Sequence, residues 1–199
     1  MEITVRPLTP ERWTDLETVF AGKGCSVARQ CWCMAYRRSG PSPQPKGMTR
    51  AQRNRADLKA LARRDPPPGL IGYHGKTPVG WVSLGPREDY RRLERSPLMK
   101  RVDDEPVWSI ICFVVPAEYR RKGVAKALLA GAIAYARKRG VKLLEAYPVD
   151  RPPPLADDWL WFGHKSMYDA AGFAEVARRK PTRAVVRLHL ATGRRARSA

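Results

Sequence analysis

Apolar and polar residues recur along the chain in patterns that predict an ordered series of strands and helices. Alternation over residues 3–6 predicts a short strand. Thr9 followed by Pro10 predicts an N-cap and first turn of a helix that runs to about Phe20. Residues 21–47 show no such period and are expected to be irregular.

A capping box, Thr49-x-x-Gln52, predicts the start of a basic helix that ends at about Arg64 with Leu58, Leu61 and Ala62 facing inward. A Pro-rich loop is expected over residues 148–161. The other elements predicted are a hairpin over 70–84, a short charged helix over 88–95, a central strand over 107–115, a helix over 121–139, a strand over 142–147, a short helix over 163–171 and a closing hairpin over 173–190. This order favours one α/β domain over residues 1–190, followed by a basic tail over 191–199.

Length and composition narrow the class of protein. The chain has 199 residues, of which 43% are hydrophobic, enough for a sizeable core. Its longest apolar stretch, residues 127–136, is about ten residues long, against the ~20 that a membrane span needs. The first residues lack the apolar run of a signal peptide, and four cysteines do not make a disulfide scaffold in a chain of this length. We therefore expect a soluble, cytoplasmic protein without a membrane partner.

The net charge of +19 raises the possibility of an anionic partner. The charge is concentrated in two segments: residues 37–64 hold nine basic residues and one acidic residue, and residues 178–199 hold eight basic and no acidic residues. Two solvated basic faces and a surface for an anionic partner both fit this distribution. Nucleic acid is the less favoured partner, because the basic segments lack the interleaved aromatic residues of single-strand binding surfaces.

The turn after the central strand carries the clearest candidate chemistry. It reads Arg120-Arg121-Lys122-Gly123-Val124-Ala125 and leads directly into a helix. A glycine at this position lets backbone N–H groups converge on an anion, while the helix dipole and two or three basic side chains add attraction. The spacing matches neither a Walker loop nor Gly-x-Gly-x-x-Gly. The turn therefore predicts a pyrophosphate site of another kind.

A second motif, Tyr168-Asp169-Ala170-Ala171-Gly172-Phe173, lies on a short helix that runs into a strand. With both motifs in this order, and with this succession of elements, the chain resembles the GNAT superfamily of acyl-CoA-dependent N-acyltransferases over residues 1–190. The resemblance implies a central mixed, mostly antiparallel sheet of about six to seven strands flanked by helices. It also implies a splayed parallel strand pair at the cofactor site.

The resemblance further implies a set of residues for acetyl-CoA as co-substrate, without a metal. The backbone of Phe113, Val114 and Val115 is expected to pair with the pantetheine arm. The turn formed by Arg120, Arg121, Lys122, Gly123, Val124 and Ala125 is expected to bind the pyrophosphate. Many members carry Asn seven residues before the Tyr and Ala four before it; here these positions are Trp161 and His164, so Ser166 is a candidate for the missing Asn contact.

By the same resemblance, Tyr168 is expected to protonate the departing CoA thiolate after a primary amine attacks the thioester directly in a ternary complex. The amine belongs to a small molecule or to a protein Lys or N-terminus. Its proton needs a base, for which Glu145 on the strand beside the site is the first candidate. Asp103, Asp104, Glu105, Asp150 and His164 are further candidates.

Cys25, Cys31 and Cys33 follow a C-x5-C-x-C pattern, which is not the spacing of a zinc knuckle. They are interpreted as packing residues, or as part of an acceptor pocket together with Trp159, Trp161 and Phe162. Two other functions stay open at this point: an acyl-CoA-binding regulatory or interaction module without catalysis, and a basic nucleic-acid-binding protein. The oligomeric state is expected to be a monomer or a homodimer.

Overall fold

The structure is a computed structural model that describes residues 1–40, 46–152 and 160–190. In this part of the chain, seven strands form one sheet in the order β1-β2-β3-β4-β5-β7-β6. The strands are β1 (Thr4–Pro7), β2 (Gly69–His74), β3 (Thr77–Pro86), β4 (Trp108–Val114), β5 (Leu143–Ala146), β6 (Ala174–Lys180) and β7 (Arg183–His189). Only β4 and β5 are parallel neighbours, so the mixed, mostly antiparallel sheet expected from the sequence is confirmed.

Five α-helices accompany the described strands: α1 (Trp13–Ala21), α2 (Ser26–Cys31), α3 (Arg50–Leu61), α4 (Val124–Lys138) and α5 (Lys165–Asp169). Short 3₁₀ helices cover Pro10–Arg12, Arg87–Asp89, Arg91–Arg95 and Ala117–Tyr119. The predicted capping box of α3 is present: Thr49 Oγ1 accepts from the Gln52 amide at 3.2 Å, and Gln52 Oε1 accepts from the Thr49 amide at 2.7 Å.

Two predictions from the sequence need correction. Residues 21–47 were expected to be irregular, but α2 lies within them; its six residues are too few for a period to be visible in the sequence. The charged segment after β3 forms two 3₁₀ helices rather than one helix. The segments 153–159 and 191–199, which are half of the predicted Pro-rich loop and the whole basic tail, lie outside the described residues.

The core is divided by the sheet. On one face α4 covers the sheet, with Leu128 and Ala132 fully buried against Val82 and Ile110. On the other face, α1 and the residues around α2 bury Phe20, Trp32 and Trp81. A third cluster, around Tyr90, Ile111 and Tyr147, fills the region beneath the 3₁₀ helices. In the described part of the chain, no helix combines the length and apolarity that a membrane crossing requires.

The short parallel pairing positions the site. β4 and β5 pair over three residues, from Trp108↔Leu144 to Ile110↔Ala146, and then separate while β4 continues to Val114. A β-bulge in β4 lies just where the separation begins, because Ser83 pairs with Cys112 but Leu84 pairs with Ile110. Bulges bend the strand that contains them, so this one helps β4 turn away from β5 and open a gap in the sheet.

Candidate active site

A cavity of about 760 Å³ lies along the end of β4, beyond the point where β5 separates from it. One end is bounded by the turn before α4 and the other by residues around α2, with the end of β4 as its floor. A larger and more open groove of about 1250 Å³ lies elsewhere, between β1, α4 and the end of α3, and does not include the turn before α4. Of the residues predicted for cofactor binding, the following line the 760 Å³ cavity: Phe113, Val114, Val115, Arg120, Arg121, Gly123, Val124, Ala125 and Ser166.

The turn before α4 has the conformation of an anion site. Arg121 and Gly123 adopt φ values of 58° and 82°, in the left-handed region. Gly123 is the N-cap of α4, and no side chain caps the first N–H groups of this 15-residue helix. Those N–H groups and the positive end of the helix dipole therefore remain available to an anion, with Arg121 and Lys122 exposed beside them.

Arg120, by contrast, holds the turn in place. Its Nε donates to the Val115 carbonyl at 3.0 Å and its Nη2 donates to the Gly24 carbonyl at 2.7 Å. These bonds tie the turn to the end of β4 and to the segment before α2. Arg121 lines the cavity at this turn, whereas the predicted Lys122 is exposed beside the turn and does not line the cavity.

One backbone N–H on the edge of β4 that β5 leaves unpaired is already hydrogen-bonded within the protein. The Phe113 amide donates to the Trp161 carbonyl at 2.6 Å, on the side where β5 has moved away. Because alternate residues of a strand direct their N–H groups to the same side, Val115 presents the next amide along this edge. Of the backbone groups expected to pair with a pantetheine arm, the Phe113 amide is therefore already hydrogen-bonded within the protein.

Helix α5 brings Ser166 and His164 to the cavity. His164 is the N-cap: its Nδ1 accepts from the Ser166 amide at 3.2 Å and lies 2.9 Å from Ser166 Oγ. His164 Nε2 lies 3.0 Å from the Arg151 carbonyl, which fixes the proton on Nε2. His164 is thus held in position at both ring nitrogens, and Ser166, with its hydroxyl beside His164 Nδ1, lines the cavity.

Tyr168 lies behind the cavity wall rather than in it. Its side chain is fully buried, with its ring 5.1 Å from that of Phe173, and its hydroxyl donates to the Phe162 carbonyl at 2.9 Å. Burial raises the pKa of Tyr168 well above that of a free phenol, and the charge of a Cys112 thiolate would raise it further. The phenol therefore keeps its proton across the physiological pH range.

Glu145 is not brought to the cavity. Its carboxylate is fully buried and accepts from Arg87 Nη1 at 3.1 Å and from Arg187 Nε at 2.8 Å. The Tyr147 hydroxyl donates to the same carboxylate at 2.5 Å. Enclosed by these partners and absent from the cavity lining, Glu145 has no route to an amine in the cavity, so this arrangement does not suit the role of base suggested by the sequence.

The other acidic candidates are also engaged or distant. Asp103 forms an ion pair with Arg187, which lowers the pKa of Asp103. Asp150 forms an ion pair with Arg178 at 2.7 Å. Asp104 and Glu105 are exposed in the segment before β4 and do not line the cavity. The structure thus leaves the acidic residues proposed from the sequence without access to the cavity.

The end of the cavity near α2 contains side chains for which no catalytic role was expected from the sequence. The thiol side chains of all four cysteines line the cavity, and Tyr36 and Arg92 line it as well. The Arg92 guanidinium lies over the Tyr36 ring, 5.6 Å from its centroid. Trp161 also lines the cavity, Phe162 packs edge-on against Tyr36 at 5.3 Å, and Trp159 is outside the described residues. Among the residues that the structure describes, no three His, Cys, Asp or Glu side chains are arranged to hold a metal ion.

A mixed sheet that opens at its one parallel pair, with a glycine turn leading from the open strand into a helix, is the architecture of GNAT acetyltransferases. The family model described as "Acetyltransferase (GNAT) family" matches residues 30–152, and the chain belongs to that family. The match includes β4, the turn before α4, and the cysteines at positions 31, 33 and 112. Comparison with curated proteins found no match.

Solved structures share the fold at low sequence identity. An N-acetyltransferase from Staphylococcus aureus Mu50 is 14% identical with a TM-score of 0.53, covering 95% of this chain and 99% of its own. A ribosomal-protein-alanine N-acetyltransferase from Brucella melitensis is 17% identical with a TM-score of 0.54, covering 94% and 99%. The PaiA N-acetyltransferase from Thermoplasma acidophilum, in complex with coenzyme A, is 16% identical with a TM-score of 0.51, covering 95% and 99%. At these identities the likeness concerns the fold alone.

Proposed function

We propose that the protein is an acetyl-CoA-dependent N-acetyltransferase that transfers the acetyl group to a primary amine. One observation carries the proposal: the uncapped N-terminus of α4 and the free edge of β4 lie in one continuous cavity. The first suits a diphosphate and the second suits an extended chain with amide groups. The complex of the Thermoplasma acidophilum neighbour with coenzyme A supports the same choice of co-substrate.

In this proposal the turn before α4 binds the pyrophosphate through its amides, assisted by Arg121 and Lys122. The end of β4 orients the pantetheine arm, and Ser166 adds a hydroxyl contact from α5. The thioester then lies in the gap between β4 and β5. An amine that enters from the side of Tyr36 and Arg92 attacks the carbonyl carbon directly, in a ternary complex.

Tyr168 is the proposed proton donor to the leaving thiolate. Its hydroxyl donates to the Phe162 carbonyl behind the cavity wall, so in this proposal the wall at residues 160–162 shifts and the O–H leaves that carbonyl before the proton reaches the thiolate. We expect Tyr168→Phe to lower kcat by about 100-fold, the usual contribution of a positioned acid, with acetyl-CoA affinity changed by about twofold or less. Steady-state kinetics measure kcat, and calorimetry on the same preparation measures the affinity for acetyl-CoA. Equal turnover by the variant and the wild type would remove Tyr168 from the chemistry.

The acceptor is proposed to carry an anionic group near its amine. Arg92 lines the cavity, is exposed, and forms no ion pair with any side chain in the described ranges. Arg178 on the closing hairpin is already paired with Glu175 and Asp150 and is less available. A free carboxylate on the acceptor would therefore meet Arg92 at the cavity mouth.

The test is calorimetric titration with acetyl-CoA, followed by CoA release against matched pairs of amines. Each pair consists of an amino acid and its amide, or of an acidic peptide and its neutral counterpart. Release that is faster for the free acid supports both the activity and the anionic acceptor. Binding of acetyl-CoA without release for any amine would favour a non-catalytic acyl-CoA-binding module.

Nucleic-acid binding is the less favoured alternative, because several arginine side chains of the segment 37–64 already form ion pairs with carboxylates. The binding of nucleic acid would have to fall steeply as salt increases. A filter-binding assay at several salt concentrations measures that slope, and a flat response excludes this alternative. The ion pairs in question are Arg38–Asp57, Arg53–Asp57, Arg55–Glu17 and Arg64–Asp89.

A further inference from the structure

One side chain connects the turn before α4 to the segment that leads into α2. Arg120 Nε donates to the carbonyl of Val115, which directly follows β4, and Arg120 Nη2 donates to the carbonyl of Gly24, two residues before α2. Arg120 and Gly24 are 96 positions apart in the sequence. We call these two bonds the Arg120 bridge. Beside the bridge, the Ala117 amide donates to the Lys23 carbonyl at 2.8 Å.

Glycine allows the two segments to approach each other this closely. A Cβ added at Gly22 would lie 2.7 Å from the Pro116 side chain, and a Cβ added at Gly24 would lie 2.8 Å from Arg120 Nη2. Both distances are shorter than Cβ atoms keep from other heavy atoms in proteins. Gly24 also has a φ of 76°, in the left-handed region that glycine adopts readily. The segment before α2 is therefore shaped to receive the guanidinium of Arg120.

Helix α2 depends on its surroundings for its position. It has six residues, and a helix of this length is marginal in water without tertiary contacts. Near its carboxyl end, Asn54 Nδ2 donates to the Gln30 carbonyl at 2.8 Å and ties α2 to α3. Its amino end begins after the N-cap Cys25, which directly follows Gly24. The Arg120 bridge therefore holds α2 at the end that Asn54 does not reach.

The two segments that the bridge joins both line the 760 Å³ cavity. Arg121 and Gly123 line it from the turn before α4, and Cys25 and Ala28 line it from α2 and its N-cap. In the proposed function, the pyrophosphate lies at the first of these ends and the amine enters at the second. The bridge therefore spans the two places at which the two substrates would be held.

We propose that Arg120 is a positioning residue that fixes the amine end of the cavity relative to the pyrophosphate end, a role that rests on the proposed function. Arg120 touches no reacting atom in this role and acts through the position of α2. A misplacement of about 1 Å between reacting groups lowers a rate by about 100-fold, so a side chain outside the chemistry can control turnover in this way.

The first test follows the position of α2 through the thiol of Cys25, which is 2% exposed. Iodoacetamide, a small neutral alkylating reagent, is added to the wild type and to Arg120→Ala, and digestion with mass spectrometry gives the rate at each cysteine. Loss of the bridge lets the amino end of α2 open locally. Alkylation of Cys25 is therefore expected to become about tenfold faster, the effect of losing one hydrogen bond from a charged group.

Arg121→Ala is the matched control, because it removes a positive charge from the same turn but no bond of the Arg120 bridge. It should leave the Cys25 rate within about twofold of the wild type. Cys33, 5% exposed and bonded to Trp81 Nε1 beyond the other end of α2, is the internal control and should be unchanged in Arg120→Ala. Equal Cys25 rates in the two variants would overturn the role of Arg120. A parallel rise at Cys33 would also overturn it, because it would indicate general loosening.

The second test reaches the bridge from its other end. Gly24→Ala places a methyl group against Arg120 Nη2, whereas Gly47→Ala is matched in backbone strain, with a φ of 78° against 76°, but meets nothing within 4 Å. Calorimetry is expected to show acetyl-CoA binding about tenfold weaker in Gly24→Ala and in Arg120→Ala, and within about twofold of the wild type in Gly47→Ala.

The double variant shows whether the two changes act through the same contact. Gly24→Ala should weaken acetyl-CoA binding no further once Arg120→Ala is present, because changes that remove one shared interaction are not additive. Full additivity would overturn the role of Arg120, because the methyl group would then act on the cavity directly.

Turnover with the matched amino acids, peptides and their amides completes the test. At saturating acetyl-CoA, Arg120→Ala is expected to raise the KM for the amine about tenfold, whereas Arg121→Ala leaves it within about twofold. An unchanged KM in Arg120→Ala, with normal acetyl-CoA binding by the wild type, would overturn this role and leave the proposed function standing. No binding of acetyl-CoA by the wild type would overturn the proposed function and this role together.

Discussion

Gly123→Asp is expected to abolish acetyl-CoA binding while the protein still folds, with a loss of stability of about 1–2 kcal/mol from the left-handed backbone at this position. Gly123 has a φ of 82°, and a Cβ built there meets nothing within 4 Å, so a side chain fits without a clash. Asp is one of the few residues that tolerate this region, and it is a favourable N-cap. The new carboxylate would therefore cap α4 and occupy the very amides proposed to hold the pyrophosphate.

The expected loss of acetyl-CoA affinity follows from the repulsion between the new carboxylate and the phosphate charges. At an effective dielectric constant of about 20, two unit charges about 5 Å apart repel by about 3 kcal/mol. Two phosphate charges double this value, so a loss of more than ~1000-fold in affinity is expected. Gly75→Asp is the matched control, because Gly75 also has a positive φ, 58°, and open space, but lies in the β2–β3 turn. Calorimetry that showed equal acetyl-CoA affinity for both variants would contradict the assignment of the turn before α4.

Glu145→Gln is expected to destabilise the protein rather than to remove a base. The substitution leaves Arg87 and Arg187, which are 1% and 7% exposed, without the carboxylate that they share. Breaking a buried ion pair in this way costs about 3 kcal/mol. For a chain of this size, that loss corresponds to a decrease in Tm of about 10 °C. Thermal unfolding followed by circular dichroism measures it directly.

Asp103→Asn is the control for Glu145→Gln. Asp103 pairs with the same Arg187, but its side chain is 43% exposed, so its loss is expected to cost about 1 kcal/mol or less. Activity per folded molecule should change little in Glu145→Gln when it is assayed well below its Tm. A variant with wild-type stability and a large loss of kcat would contradict this account and return Glu145 to the chemistry.

The fold could be predicted where a local pattern determines the element. The capping box of α3 and the turn before α4 are short, contiguous signals, and both have the expected structure. The pairing of β4 with β5 followed from the order of the elements once the family resemblance was recognised. Helix α2 was missed because its six residues depend on tertiary packing of Trp32, which no sequence period reveals.

The site was harder to predict because it depends on what surrounds each side chain. Glu145 lies on the strand that the sequence indicated, but Arg187 and Arg87 approach it from β7 and from the 3₁₀ helix after β3, and nothing local in the sequence reveals this. The contact between Cys33 and Trp81 joins residues 48 positions apart. The close spacing of Cys31 and Cys33 beside Trp32 was the one available signal, and it also fitted simple packing.

The central claim, that one cavity binds acetyl-CoA and delivers its acetyl group to an amine, is tested most directly in a single calorimetric cell. Acetyl-CoA is titrated into the wild-type protein, and CoA release is then followed as amino acids and their amides are added. The account predicts saturable binding, followed by release that is faster for an amine with a neighbouring carboxylate. The absence of acetyl-CoA binding would contradict it, because the turn from Arg120 to Ala125 would then not be a pyrophosphate site.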